Sequence, residues 1–397
     1  MTRPRWILHL QATVWRFLME IGMILHRLAH PQPRKPAFWK SIQASVSPSQ
    51  GSIALAFCVP RYYKRHLKRD RDVYDIESDP NERGYPIVVN FHGGGFTLGG
   101  PEDDARWATA VVSNTHAIVC SVHYRRAPEH PFPTAVEDGV DAVFYLIDHA
   151  EELGIDPLRI AVSGFSAGGN MSFTVPLRLE EELRQRKIRK SGLESDLSPE
   201  ASAAQPKQVA IQHAQEPVTV TMATAAATTT TIKGAKGSRR GAIIAICAFY
   251  PSCDYTATRE ERRKTNLRPD KELPPFFTDL FDRSYLAPPG GVDLQSIYLS
   301  PGLASDDVLR TDLPGDVVLF TCEWDGLRAE AERFKERLGS DGLGKRLLYR
   351  NIKGVMHAWD KSPNPFWTDK QAEEAYQEAC AVLKVVFEQG QLQTIQE

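Results

Sequence analysis

Apolar positions along the chain follow two periods. Between residues 6 and 28, Ile7, Leu10, Val14, Leu18, Ile21, Leu25 and Leu28 recur at helical spacing, and Arg16 and Glu20 stand four apart outside that stripe. His9, Gln11, Arg16, Glu20, His26 and Arg27 interrupt the stretch and no small-residue cleavage site follows, so neither a signal peptide nor a spanning helix is expected. The pattern predicts an amphipathic helix, its stripe packed on the protein or laid on a membrane surface. Loop and short strand are expected from residue 36 to 86. Short apolar runs then occur at 87–91, 117–122, 159–163, 242–249, 317–322 and 346–349, separated by helical patterns that include 105–112, 135–153 and 369–387. Strands alternating with helices predict a parallel sheet covered on both faces.

One segment departs from this rhythm. Residues 185–240 turn basic, then rich in Ser, Gln and Ala, and are low in complexity from 223 to 231. Few large apolar side chains there can offset the entropy of ordering, so a largely disordered surface insertion is expected. The run Arg184, Arg186, Lys187, Arg189 and Lys190 reads as the solvated end of a helix. The expected organisation is a helix and cap segment over 1–50, and a catalytic domain over 51–390 that contains the insertion.

Composition narrows the function. The chain has 397 residues with 48 Lys plus Arg against 50 Asp plus Glu, a net charge of −2. That balance gives no field suited to a nucleic acid, and none is expected as a partner. The six cysteines form no Cys-x-x-Cys pair or metal-ligand spacing. Several lie in apolar runs, as buried thiols of a reducing compartment do. A cytoplasmic protein, at most peripheral on a membrane, is expected, with no metal and no cofactor.

Two motifs carry chemistry. Gly164-Phe165-Ser166-Ala167-Gly168 fits Gly-x-Ser-x-Gly between an expected strand and an expected helix. A serine on so sharp a turn needs glycines beside it to let the backbone close, and the helix start points the Ala167 N–H at a developing oxyanion. Chance alone yields roughly 0.1 such matches in a chain of this composition, and a tight turn is the bland alternative. His92-Gly93-Gly94-Gly95 is rarer, on the order of 0.003 chance matches. Three glycines after a buried strand expose N–H groups that can approach a substrate oxygen. No Lys-Ser/Thr follows to support a phosphate cradle.

Together these motifs resemble the hormone-sensitive-lipase branch of the α/β-hydrolase superfamily. The resemblance runs through Tyr124-Arg125-Arg126-Ala127-Pro128-Glu129, Phe132-Pro133 and Ser166-Ala167-Gly168-Gly169-Asn170, and it looks most like fungal members at residues 323–327. It implies an α/β-hydrolase fold: a mostly parallel central sheet, helices on both faces and a helical cap. It also implies Ser166 as nucleophile, His357 as base and Asp325 as the acid, in the chain order of that superfamily. Gly94, Gly95 and Ala167 become oxyanion donors, with His92 and Gly93 completing the loop motif. Glu323 and Asp254 are rival acids. Asn170-Met171-Ser172 matches a glycosylation sequon but should be buried in the helix behind the nucleophile. Two positions depart from the family pattern: Phe165 replaces the usual Asp, and Gly326 stands where Pro is common.

The cap, expected from residues up to about 50 and about 255–300, should set specificity. Phe96, Phe165, Phe276 and Phe277 are candidate pocket residues, and Phe281 and Tyr285 lie in the same cap stretch. An aromatic-lined pocket favours acyl or aromatic esters. The resulting expectation is a serine esterase acting on a small or medium apolar ester through an acyl-enzyme. Amide deacetylation or acyl transfer would use the same residues. An inactive small-molecule receptor on the same fold, or a scaffold acting through the insertion, are readings from other classes.

Overall fold

In the computed structural model the described residues are 4–63, 84–190 and 243–393. The chain divides into two compact units, residues 1–181 with 239–397, and residues 182–238. Most of the second unit, and with it the expected insertion, lies outside the described residues. Helix formation does continue through the charge run to Lys190.

The elements in chain order begin with helix α1 (Arg5–Leu28), then strands β1 (Phe38–Gln43), β2 (Ser52–Cys58) and β3 (Tyr85–Phe91). Helix α2 (Ala105–Thr115), β4 (Ile118–His123), α3 (Thr134–Asp148), β5 (Ile155–Phe165) and α4 (Ala167–Lys190) follow. After the undescribed segment come β6 (Ile243–Phe249), α5 (Arg259–Thr265), α6 (Pro275–Tyr285), α7 (Asp306–Asp312) and β7 (Asp316–Trp324). Helix α8 (Arg328–Leu338), β8 (Arg346–Met356) and α9 (Lys370–Gln393) complete the fold.

The strands form one sheet in the order β1-β2-β4-β3-β5-β6-β7-β8. Pairing is parallel from β4 through β8, whereas β1–β2 and β2–β4 are antiparallel. The segment read as loop and short strand thus supplies a hairpin to the sheet edge, so part of the 1–50 stretch belongs to the sheet as well as to the cap. Its pattern hid this because β1 is mostly solvent-facing, with only Ile42 buried. The parallel strands β3 to β7 are largely buried on both faces, and β3 is buried at every position, which accounts for its continuous apolar run.

Helices α2 and α9 cover one face. Trp107, Ala108 and Val111 of α2 and Ala375, Tyr376 and Leu383 of α9 share a core with Val88, Val119, Ala161, Cys247 and Val318 of the strands. On the other face Gly139 of α3 lies against Val175 of α4 and Phe91 of β3, and Phe173 of α4 packs edge-on to Phe334 of α8. All six cysteines are buried free thiols.

Helix α1 forms as expected, but its regular apolar stripe is not packed on the protein. Its packed face is Leu8, Ala12, Met23 and His26, while Leu10, Val14, Leu18, Ile21, Leu25 and Leu28 are exposed. The reason lies in what the body offers: the Arg16 guanidinium donates to the carbonyls of Thr97 and Ala127 and to the Glu129 carboxylate. These bonds turn the polar side of the helix inward and leave its most regular apolar stripe outside.

Candidate active site

The turn after β5 is enforced by backbone contact. Ser166 adopts φ 55°, a left-handed conformation unusual for a side chain that is not glycine. A Cβ at Gly164 would lie 2.1 Å from the Gly168 carbonyl oxygen, and one at Gly168 would lie 1.9 Å from the Phe91 oxygen. No other residue type fits either position without moving strands. The Ser166 N–H donates to the Phe249 carbonyl, which ties the turn to β6.

The elements bring three distant side chains into one chain of hydrogen bonds. Ser166 Oγ lies 2.8 Å from His357 Nε2, and His357 Nδ1 lies 2.6 Å from Asp325 Oδ2. Asp325 follows β7, and its Oδ1 also accepts the Leu327 N–H at 2.9 Å. His357 directly follows β8. With Nδ1–H donating to the carboxylate, Nε2 is left to accept from the serine hydroxyl. The rival acids are engaged elsewhere: Glu323 binds Lys353 and the Gly354 N–H, and Asp254 accepts from Thr256 in its own turn.

The glycine loop lies beside the serine. A Cβ on Gly93 would come within 3.6 Å of Ser166 Cβ, and Gly94 and Gly95 have φ 107° and 58°. The N–H groups of Gly94 and Gly95 meet no acceptor among the described residues, and Ala167 begins a helix, where N–H groups lack intrahelical partners. All three N–H groups are therefore free to bind a ligand oxygen. His92 orders the loop: its Nδ1 is 2.8 Å from the Gly93 oxygen, and its ring stacks on Tyr124, whose hydroxyl donates to the His92 carbonyl. Complete burial, with His123 beside it, keeps this imidazole well below its ordinary pKa and therefore neutral.

Gly95, Ser166, Ala167, Asp325 and His357 line an open pocket that also reaches Phe281, Tyr285, Tyr255, Trp324, Leu273 and Leu327. The pocket is less apolar than the sequence suggested, because Arg259, Arg262, Glu272 and Asp282 share its wall. Arg259 of α5 grips Asp282 of α6 through two bonds of 2.8 and 2.5 Å. Buried Arg262 pairs with Glu330 at 2.8 Å and fixes α5 to α8.

Of the expected pocket aromatics, only Phe96 lines the cavity, stacked on Tyr285 at 3.8 Å. Phe165 points into the core and stacks on Phe249 at 4.4 Å. Its turn directs residue 166 to the pocket, so residue 165 faces the opposite way. Phe276 and Phe277 pack on Trp15 of α1, and it is Thr278, Phe281, Asp282 and Tyr285 that α6 turns toward the cavity. Asn170 is fully buried, donating to the carbonyls of Ser252 and Leu299, which closes the sequon to a glycan.

A buried polar chain behind the serine carried no motif. Trp107 donates to Ser163, Ser163 to Asn90, and Asn90 to Asp104. Lys361 then bridges Asp104 and Asp360 at 2.9 and 3.1 Å, with its ammonium 3.7 Å from the centre of the Phe165 ring. Asp360 also accepts from the hydroxyls of Tyr250 and Tyr376, and the Tyr250 ring stands edge-on to His357. Burial opposes every charge in this chain, but the two carboxylates outweigh it and keep Lys361 protonated. The network clamps the loop of His357 against the nucleophile strand. Phe165, the family departure, gives Lys361 a ring face.

This fold and this site define an α/β hydrolase. The chain belongs to the alpha/beta hydrolase fold family, whose model matches residues 88–226 and 220–361. It is similar to an AB hydrolase superfamily protein of Schizosaccharomyces pombe, 44% identical over 91 residues, or 23% of this chain and 27% of that protein. It is also similar to carboxylesterase NlhH of Mycobacterium tuberculosis, 51% identical over 87 residues, or 22% and 27% of the two chains. The aligned stretch thus spans about a quarter of either relative. Among solved structures, a thermostable esterase from Pseudomonas putida superposes with TM-score 0.64 at 21% identity, covering 98% of this chain and 93% of that one. The metagenomic carboxylesterase EstE1 gives 0.62 at 24% identity, covering 95% and 97%. At such identities these two likenesses speak for the fold.

Proposed function

We propose that the protein is a serine hydrolase that cleaves a small carboxylic ester through an acyl-enzyme. The observation that carries this reading is the continuous Ser166–His357–Asp325 hydrogen-bond chain, opening on a pocket edged by free N–H groups. As Ser166 Oγ bonds to the ester carbonyl carbon, its proton passes to His357 Nε2. Asp325 holds the imidazole tautomer and stabilises the imidazolium. The negative oxygen of the tetrahedral intermediate faces the N–H groups of Gly94, Gly95 and Ala167, each worth roughly 3–4 kcal/mol in such a role. Collapse breaks the bond to the alkoxy group, which takes the proton from His357 and leaves as an alcohol. Water then gives a proton to the same nitrogen and attacks the acyl carbon. Ser166 is released with its proton, and the carboxylic acid departs.

The named esterases among the relatives support this reading. The pocket supports a substrate with both apolar and polar parts, since Phe281 and Leu273 share its wall with Arg259 and Glu272. Fluorophosphonate labelling of purified protein tests the proposal. Wild type should label covalently and hydrolyse a p-nitrophenyl ester, and a folded Ser166→Ala variant should do neither. Undiminished hydrolysis by that variant would refute the mechanism.

A further inference from the structure

The outward face of α1 has no occupant among the described residues. Trp6, Leu10, Val14, Phe17, Leu18, Ile21, Ile24, Leu25 and Leu28 are all exposed, with Trp6 and Phe17 each at 65%. At 100° per residue they fill one arc of about 120° with no polar residue inside it, along roughly 36 Å of helix. Soluble monomers rarely expose an apolar patch of such length. The helix is not free to roll this face inward, because Leu8, Ala12 and Met23 are already buried and Arg16 is bonded to the body. Beside its C-terminal half, His26 contacts the Ser362 carbonyl and Gly22 lies against Pro363. The loop begun there adds Phe366 and Trp367, 78% and 67% exposed.

Charge identifies the occupant. Residues 1–40 contain seven Lys and Arg (Arg3, Arg5, Arg16, Arg27, Arg34, Lys35 and Lys40) and one acid, Glu20, for a net +6. The whole chain is −2, so the remainder carries −2 − 6 = −8. Arg16 and Lys40 are paired with Glu129 and Glu152, whereas Arg5, Arg34 and Lys35 are exposed with no carboxylate partner among the described residues. A second copy docking face to face would set this basic segment against itself. No described helix is long and apolar enough to cross a membrane. An apolar stripe with cations at its ends suits an interface of hydrocarbon beneath anionic headgroups. We propose that the outward face of α1 docks the protein peripherally on an anionic lipid surface, the helix lying in the plane of the headgroups. Because α1 touches α6 through Trp15, Phe276 and Phe277, docking would place the cap of the pocket next to the lipid.

Flotation of the full chain with vesicles tests this, using phosphatidylcholine alone and phosphatidylcholine mixed with phosphatidylserine. Wild type should float with the mixed vesicles, and Phe17→Glu with Ile21→Glu should reduce binding by about tenfold or more. Arg34→Glu with Lys35→Glu should lower binding to the mixed vesicles and leave that to neutral vesicles unchanged. Melting and fluorophosphonate labelling should match wild type in both variants, which separates loss of docking from loss of fold. If the first pair fails to fold, the charge pair carries the test alone. Absence of wild-type flotation, or wild-type-like flotation of both variants, would overturn the proposal. So would a wild-type dimer in sedimentation that Phe17→Glu with Ile21→Glu converts to monomer.

Discussion

A methyl group added at residue 168 would sit 1.9 Å from the Phe91 carbonyl oxygen, whereas one added at residue 22 would meet only Pro363, at 3.7 Å. The first glycine stands at the turn beneath the serine, the second in the helix that borders the cap. Around the serine, main chain approaches main chain, and few residue types are geometrically admissible. Around the cap, side chains meet side chains, and several solutions would fill the same space. The floor of the site is therefore held by constraints that any working sequence must display, and the cap by contacts that another sequence could replace. Chemistry should fail abruptly when the floor is altered, and binding should drift when the cap is.

The largest expected effect falls on the floor. Asp325→Asn should reduce kcat on a p-nitrophenyl ester by on the order of 10⁴, because the amide favours the wrong imidazole tautomer. Asp254→Asn should leave it near wild type, since Asp254 serves only its own turn through Thr256. Steady-state kinetics of the two variants decide the matter. The opposite ranking would move the acid to the end of β6.

Next in size is the clamp behind the histidine. Lys361→Met keeps the stem of the side chain but leaves Asp104 and Asp360 buried without their cation. Breaking such a pair from one side costs about 3–5 kcal/mol, measurable as a shift in urea midpoint. A loss below about 1 kcal/mol would mean that the backbone constraints hold the floor without the clamp.

This contrast also explains what could be read from the sequence. Gly164, Ser166, Gly168 and the 92–95 loop were legible because a backbone constraint leaves its mark at fixed spacing. The buried strands β3 to β7 were legible as continuous apolar runs. The hairpin of β1 and β2 was not, because an edge strand exposed on alternate positions resembles loop. Nor did the pattern reveal which way α1 faces: its periodicity shows that a stripe exists, while Glu129, 113 residues from Arg16, decides which side turns inward. The same limit misplaced Phe165, Phe276 and Phe277, whose residue type suits a core as well as a pocket. Lys361 and Asp360 left no signal, since they are distant in sequence from Asp104 and Tyr250 and form no motif.

The smallest expected effect tests the cap side of the comparison, through the ion pair that orients α1. Partial burial alone would raise the Glu129 pKa, but hydrogen bonds and charge from Arg16, helped by His9, lower it to about 2. A carboxylate with a depressed folded pKa stabilises the folded state in full above its unfolded value of 4.5. That contribution shrinks as pH falls below 4.5 and is gone once pH passes about 2. With Glu129 37% exposed, solvent screening limits the effect to under about 1 kcal/mol. Urea unfolding at stepped acid pH, with Arg16→Met as reference, should show the advantage of wild type shrinking across that window by the share due to Glu129. An advantage that does not shrink there would mean that Arg16 holds α1 through the carbonyls of Thr97 and Ala127, and that its outward stripe is set without the ion pair.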